Sequence, residues 1–103
     1  MTRIRWTQGA ASDLLAIERP EYRWRVAHAV RGLAQFPQRG RIPPELEKFE
    51  HLQFPAELRE IIFPRLARMF YLHDRSKNVI HILGLAFRGQ DVTQEWLQAL
   101  LRR

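Results

Sequence analysis

Apolar residues change their spacing several times along this chain. Ile4 and Trp6 alternate with Arg3 and Arg5, the two-residue period of a short strand. Ala10, Leu14 and Ile17 then recur at helical spacing, with Leu15 widening the stripe. Thr7 stands where a cap is needed and Pro20 stops the pattern, so the spacing predicts a helix over residues 8–19. Tyr22, Val26, Ala29, Val30 and Leu33 share one face of a second helix over 21–36, closed by the stretch Pro37 to Gly40. Two helices joined so tightly predict an antiparallel helical hairpin.

Pro43 and Pro44 open a polar, acidic connector, expected to be loop with one helical turn around Glu45 to Phe49. From residue 57 the period changes again. Leu58 to Phe63, Leu66 to His73 and Val79 to Phe87 are three apolar runs rich in Ile, Val, Phe and Tyr, separated by Pro64-Arg65 and by Asp74 to Asn78. The breaks read as turns and the runs as consecutive antiparallel strands. Finally, Val92 to Arg103 sets Trp96, Leu97, Leu100 and Leu101 on one helical face and ends in Arg102-Arg103, which suits the negative end of a helix dipole.

Helices grouped before strands predict an α+β fold in which the hairpin packs on one face of an antiparallel sheet. The N-terminal strand joins the three-stranded meander to bury Ile4 and Trp6. Val79 to Phe87, apolar at nearly every position, is expected to be the central strand, covered on both faces. With 103 residues the chain suffices for one core and not for two ordinary domains, so residues 1–103 are read as a single domain.

Composition adds exclusions. No apolar run approaches the length of a bilayer span, and the opening residues lack a signal-peptide pattern, so a cytoplasmic protein with no membrane partner is expected. Without cysteine there is no disulfide, thiolate metal site or cysteine nucleophile. The formal charge is +6, and its distribution is uneven: residues 42–64 hold two Lys/Arg against five Asp/Glu, between basic segments on either side. That balance suits an anionic partner, nucleic acid or an acidic protein segment, and it equally suits a merely well-solvated surface.

The element order and particular residues resemble the RelE/ParE toxin superfamily, and its ParE branch most. IRWTQGAASDLLAI is similar to the family's opening strand and first helix, FPQRGR to the Pro and Gly-Arg after the second helix, LREI to its Leu-Arg-Glu strand, RMFYLHD to its Arg-apolar-aromatic-Tyr strand, and NVIHILGLAFRGQD to its last strand and exit. The likeness spans essentially the whole chain. It implies the toxin of a type II toxin-antitoxin module, partnered by a short, acidic, partly disordered antitoxin and needing no cofactor. It departs from the family where Phe87 replaces a common His after the last strand, and residues 92–103 hold no Tyr, His or Lys.

Those departures bear on mechanism. Cleavage of RNA by its 2′-hydroxyl needs a base, a cation for the charge on phosphorus and an acid for the leaving oxygen. If the chain is a ribonuclease, Arg59 and Arg68 on neighbouring strands are expected to clamp phosphate, Tyr71, His73, His81 or Glu60 to move a proton, and Arg88 to assist. Against this, Arg59 and Arg68 can pair with Glu57, Glu60 or the acidic connector, Tyr71 can fill core, and His81 can be an ordinary sheet residue. Glu45, Glu47, Glu50 and His51 read as a solvated face rather than a metal cluster.

A binding function draws on other residues. Trp24 lies off the apolar stripe of its helix between Arg23 and Arg25, so it is either an exposed interface anchor or packed on a neighbouring loop. With Arg23, Arg59, Arg68 and Arg88 it forms the expected partner-binding set. The resemblance thus implies a ParE-like toxin that blocks DNA gyrase by binding. The alternatives are a RelE-like, ribosome-dependent messenger-RNA endoribonuclease and a non-toxic nucleic-acid-binding domain.

Overall fold

The computed structural model describes residues 1–103. Strand β1 (Arg3–Trp6) leads through helices α1 (Gln8–Ala16) and α2 (Pro20–Gly32) and a one-turn helix α3 (Glu45–Lys48) into strands β2 (Glu57–Phe63), β3 (Ala67–Asp74) and β4 (Val79–Phe87). Helix α4 (Gln94–Ala99) follows and tightens into a 3-10 turn over Leu100–Arg102. Local chemistry sets the boundaries. The Thr7 hydroxyl accepts the Ala10 N–H at 3.1 Å and the Thr93 hydroxyl accepts that of Trp96 at 3.0 Å, two side-chain N-caps. Pro20 occupies the first turn of α2, where its missing N–H costs no hydrogen bond. Arg65 and Asn78 take positive φ, 67° and 53°, inside the two turns that join the strands.

The sheet order is β1-β4-β3-β2. β2, β3 and β4 form the expected antiparallel meander, and β4 lies between β3 and β1. β1 pairs with β4 in parallel, from Arg3 opposite Val79 to Trp6 opposite Ile82, so the sheet is mixed rather than antiparallel throughout. A parallel neighbour requires a long crossover, and here everything between β1 and β4 supplies it.

Two cores form, one on each face of the sheet. Ala10 and Ile17 of the α1 segment and Val26, Val30 and Leu33 of the α2 segment pack with Met69, Tyr71, Ile80 and Ile82. On the other face Leu52 of the connector and Leu97 and Leu100 of the α4 segment pack with Leu58, Phe70, Leu72 and Leu83. The pairing slips between Phe70 and Tyr71, which leaves Leu83 of β4 without an opposite residue. Alternation in β4 therefore changes parity, with Ile80, Ile82 and then Leu85 toward the hairpin face, and Leu83 and Ala86 toward the other.

Two local expectations are corrected. Leu15 does not widen the buried stripe: it is 73% exposed, because the short α1 turns only Ala10 and Leu14 toward the sheet. Arg103 does not stay with its own helix end but reaches Asp13 of α1.

Candidate functional site

β2 and β3 carry the proposed phosphate clamp on alternating positions, and register decides which face each side chain uses. Arg59 lies opposite Tyr71, whereas Arg68 lies opposite Ile62, three residues from Arg59 along β2. An odd separation puts Arg59 and Arg68 on opposite faces, so they cannot grip one phosphate. Each is already committed. Arg59 Nε donates to Glu57, and its Nη1 donates to the carbonyls of Gly40 and Gln38, bracing the 37–41 loop against β2. Glu57 is held below its usual carboxylate range, first by the Arg59 hydrogen bond.

Arg68 is bound more completely. Its Nη1 and Nη2 donate to Glu45 at 2.8 and 2.7 Å, and its Nε and Nη2 to Glu60 at 2.6 and 3.0 Å. Glu60 has no exposed side-chain surface and also accepts from Arg41 Nε at 3.1 Å. These bonds to Glu45 and then Glu60 raise the guanidinium pKa, while Arg68 lowers that of Glu45. Glu45 is therefore not part of a solvated face as its sequence context suggests; its side chain is 14% exposed and pins the connector to β3. Glu47, Glu50 and His51 do face solvent, and no group of His, Asp and Glu is placed to hold a metal ion.

The proton-transfer candidates are dispersed. Tyr71 is fully buried, its hydroxyl accepting from Gly40 N–H and donating to the Pro37 carbonyl, both at 2.9 Å. Burial raises its pKa, and a Cβ on Gly40 would stand 2.7 Å from that hydroxyl, so the loop fits the phenol only with glycine there. His73 is buried with Nδ1 lacking any hydrogen-bond partner, and desolvation lowers its pKa. His81, half-buried, pairs in register with Leu72 and with Arg5 of β1. It sits on the face opposite Tyr71, whose register partner is Ile82.

One open groove, about 880 Å³, brings two expected residues together. The connector (Glu45, Lys48, Phe49), the β2–β3 turn, the exit of β4 and the start of α4 enclose it, with Arg68 and Arg88 in its wall. Lys48 and Arg65 join them, neither foreseen from sequence; Arg65, at positive φ in the β2–β3 turn, is exposed. The groove holds neither histidine nor tyrosine. His81 lies six residues back along β4 from Phe87, about 20 Å at 3.3–3.4 Å per residue. Arg59 belongs to the other face, and Arg23 and Trp24 to α2. Trp24 is 65% exposed and stacks on His28 with ring centroids 4.9 Å apart, so it does not pack on a loop. Chemically the groove can hold an anion; the carboxylates of Glu45, Asp91 and Glu95 line it too, but it has no imidazole or phenol to move a proton.

Comparison with known proteins agrees with this architecture. The fold is similar to a chain of the toxin-antitoxin complex RelBE2 from Mycobacterium tuberculosis, with a TM-score of 0.63 at 21% identity over 84% of this chain and 98% of that one. It is similar also to the isolated RelE toxin of E. coli, with a TM-score of 0.59 at 12% identity over 99% of this chain and 98% of that one. No curated protein matches the sequence significantly. No helix is long and apolar enough to cross a membrane. Residues 4–92 match the model of the ParE toxin of type II toxin-antitoxin systems, parDE, and the chain belongs to that toxin family of the RelE/ParE superfamily.

Proposed function

We propose that this chain is a cytoplasmic toxin that arrests growth by binding and inhibiting DNA gyrase, and that a short, acidic, partly disordered antitoxin neutralises it. The observation that carries the reading is the chemistry of the groove: Arg68 is neutralised by Glu45 and Glu60, and no histidine or tyrosine accompanies it. An RNA-cleaving centre requires a proton acceptor and donor beside the phosphate. Binding requires neither.

A messenger-RNA endoribonuclease is the second reading, favoured by Arg65 and Arg88, two exposed cations in the same groove, and by the fold shared with E. coli RelE. For the antitoxin, Trp24 between Arg23 and Arg25 on α2 supports docking of an acidic segment there, with burial supplied by the indole and steering by the arginines. Expression of the chain alone is expected to stop bacterial growth, and co-expression of its antitoxin to restore it. Normal growth with soluble, folded protein present would rule out an active toxin.

A further inference from the structure

Beyond Ile82, β4 has no strand on its β1 side, because β1 ends at Trp6 opposite Ile82. Side chains serve that open edge instead. The Thr7 hydroxyl donates to the Leu83 carbonyl at 3.3 Å, Asp13 Oδ2 accepts Leu85 N–H at 2.9 Å, and Gln90 Oε1 accepts Phe87 N–H at 3.3 Å. Asp13 is thereby held against the edge, its side chain 17% exposed.

Arg103 meets it there. Its Nη1 donates to Asp13 Oδ2 at 2.8 Å and its Nη2 to Oδ1 at 2.7 Å, while Nη2 also donates to the Gly9 carbonyl at 3.1 Å. Two parallel bonds to a carboxylate need a planar fork, which an ammonium group lacks. Two glycines make the space. A Cβ on Gly9 would stand 2.5 Å from Arg103 Nε, and one on Gly84 would stand 2.5 Å from Nη1. Neither glycine has positive φ, so neither is required by its backbone conformation. Gly9 stands in the first turn of α1 and Gly84 beside the register slip of β4, and at both a Cβ would fall on the Arg103 side chain. Asp13 also raises the Arg103 pKa through these bonds, as tight pairing requires.

We propose that Gly9, Asp13 and Gly84 form a guanidinium-binding site, filled by Arg103, whose occupancy fixes the C-terminal segment and with it the α4 wall of the groove. The site fastens the segment carrying Leu97 and Leu100 to α1 across the sheet edge, and Gln94 and Glu95 at the other end of α4 line the groove. Arg103 is a positioning residue in this scheme.

Hydrogen exchange on the full chain tests the site through the Leu97 amide, which donates to the Thr93 carbonyl in α4. In Arg103→Ala, exchange at Leu97 is expected to quicken at least about tenfold, the scale set by loss of a charge-assisted pair. Arg103→Lys is expected to behave like Arg103→Ala, and Gly84→Ala, which alters no charge and whose Cβ would stand 2.5 Å from Nη1 and 3.0 Å from Leu100 Cδ2, to lose protection at least as far. Methylguanidinium at tens of millimolar should restore protection to Arg103→Ala, whereas methylammonium at equal concentration should not, and Asp13→Asn should not respond. Wild-type protection in Arg103→Lys or Gly84→Ala, equal rescue by both cations, or no rescue by either would overturn the proposal.

Discussion

Arg68 on β3 and Glu45 on the connector meet through two parallel hydrogen bonds of 2.8 and 2.7 Å, although 22 residues separate them in sequence. The pair does two things. It ties α3 down across the end of the sheet, forming one wall of the groove, and with Glu60 it engages four of the five guanidinium N–H groups. Glu60 completes the arrangement from β2, fully buried between Arg68 and Arg41.

Because Glu60 is buried, its loss leaves the partly buried Arg68 with Glu45 as its one counter-charge, while Arg41, whose side chain is 57% exposed, stays solvated. Glu60→Ala is expected to reduce stability by about 2 kcal/mol, below the scale for a fully buried pair because Arg68 keeps Glu45 and Arg41 keeps water. Glu47→Ala, on the exposed side of the same connector, should change it by no more than about 0.5 kcal/mol. Urea unfolding of the two variants checks the contrast, and equal effects would show that the network contributes nothing specific.

Stability should also depend on pH with a defined sign. His73 titrates below its ordinary 6.5 because burial disfavours the imidazolium. Its contribution is present above 6.5 and is lost as pH falls through the lowered value. Glu45, held below 4.5 by Arg68, adds a second loss at lower pH, again on falling through its folded value. Tyr71, raised above 10.0 by burial, acts oppositely: its contribution is present below 10.0 and is lost as pH rises through the folded value. Urea midpoints should therefore hold a plateau between about 6.5 and 10 and decline on both sides. His73→Phe should flatten the first acid step; an unchanged step would exclude His73 as its source.

The sequence disclosed the elements because their signals are local. Thr7, Pro20 and the turn residues around Arg65 and Asn78 act within a few positions, and the apolar run of β4 announced a strand covered on both faces. The site was less legible because it depends on register. Leu-Arg-Glu and Arg-apolar-aromatic-Tyr suggested neighbouring arginines, but only the pairing of Arg59 with Tyr71 and of Ile62 with Arg68 fixes them on opposite faces. Pairing of Arg68 with the acidic connector was one of the alternatives the sequence offered, though no spacing singles out Glu45, and nothing local points Asp13 to Arg103. Helical phase put Trp24 off the apolar stripe but left it either exposed or packed on a loop, and the structure exposes it.

That exposure separates folding from recognition. Trp24→Ala should alter stability by less than about 1 kcal/mol, since most of the ring is already in solvent. It should weaken the antitoxin complex by about 2 kcal/mol or more, with little dependence on salt. Arg23→Ala should chiefly slow association and flatten its salt dependence. Titration calorimetry and stopped-flow association on folded variants measure both, and an unchanged affinity in Trp24→Ala would move the anchor away from α2.

Inhibition by binding without RNA cleavage is tested most directly by one preparation of purified protein assayed on two substrates. Added to DNA gyrase, it should block supercoiling or trap cleaved DNA; added to translating ribosomes, it should leave the mapped 5′ ends of ribosome-bound messenger RNA unchanged. New 5′ ends at the ribosomal A site, lost in a folded Arg68→Ala or Arg88→Ala variant, together with unimpaired supercoiling, would contradict it.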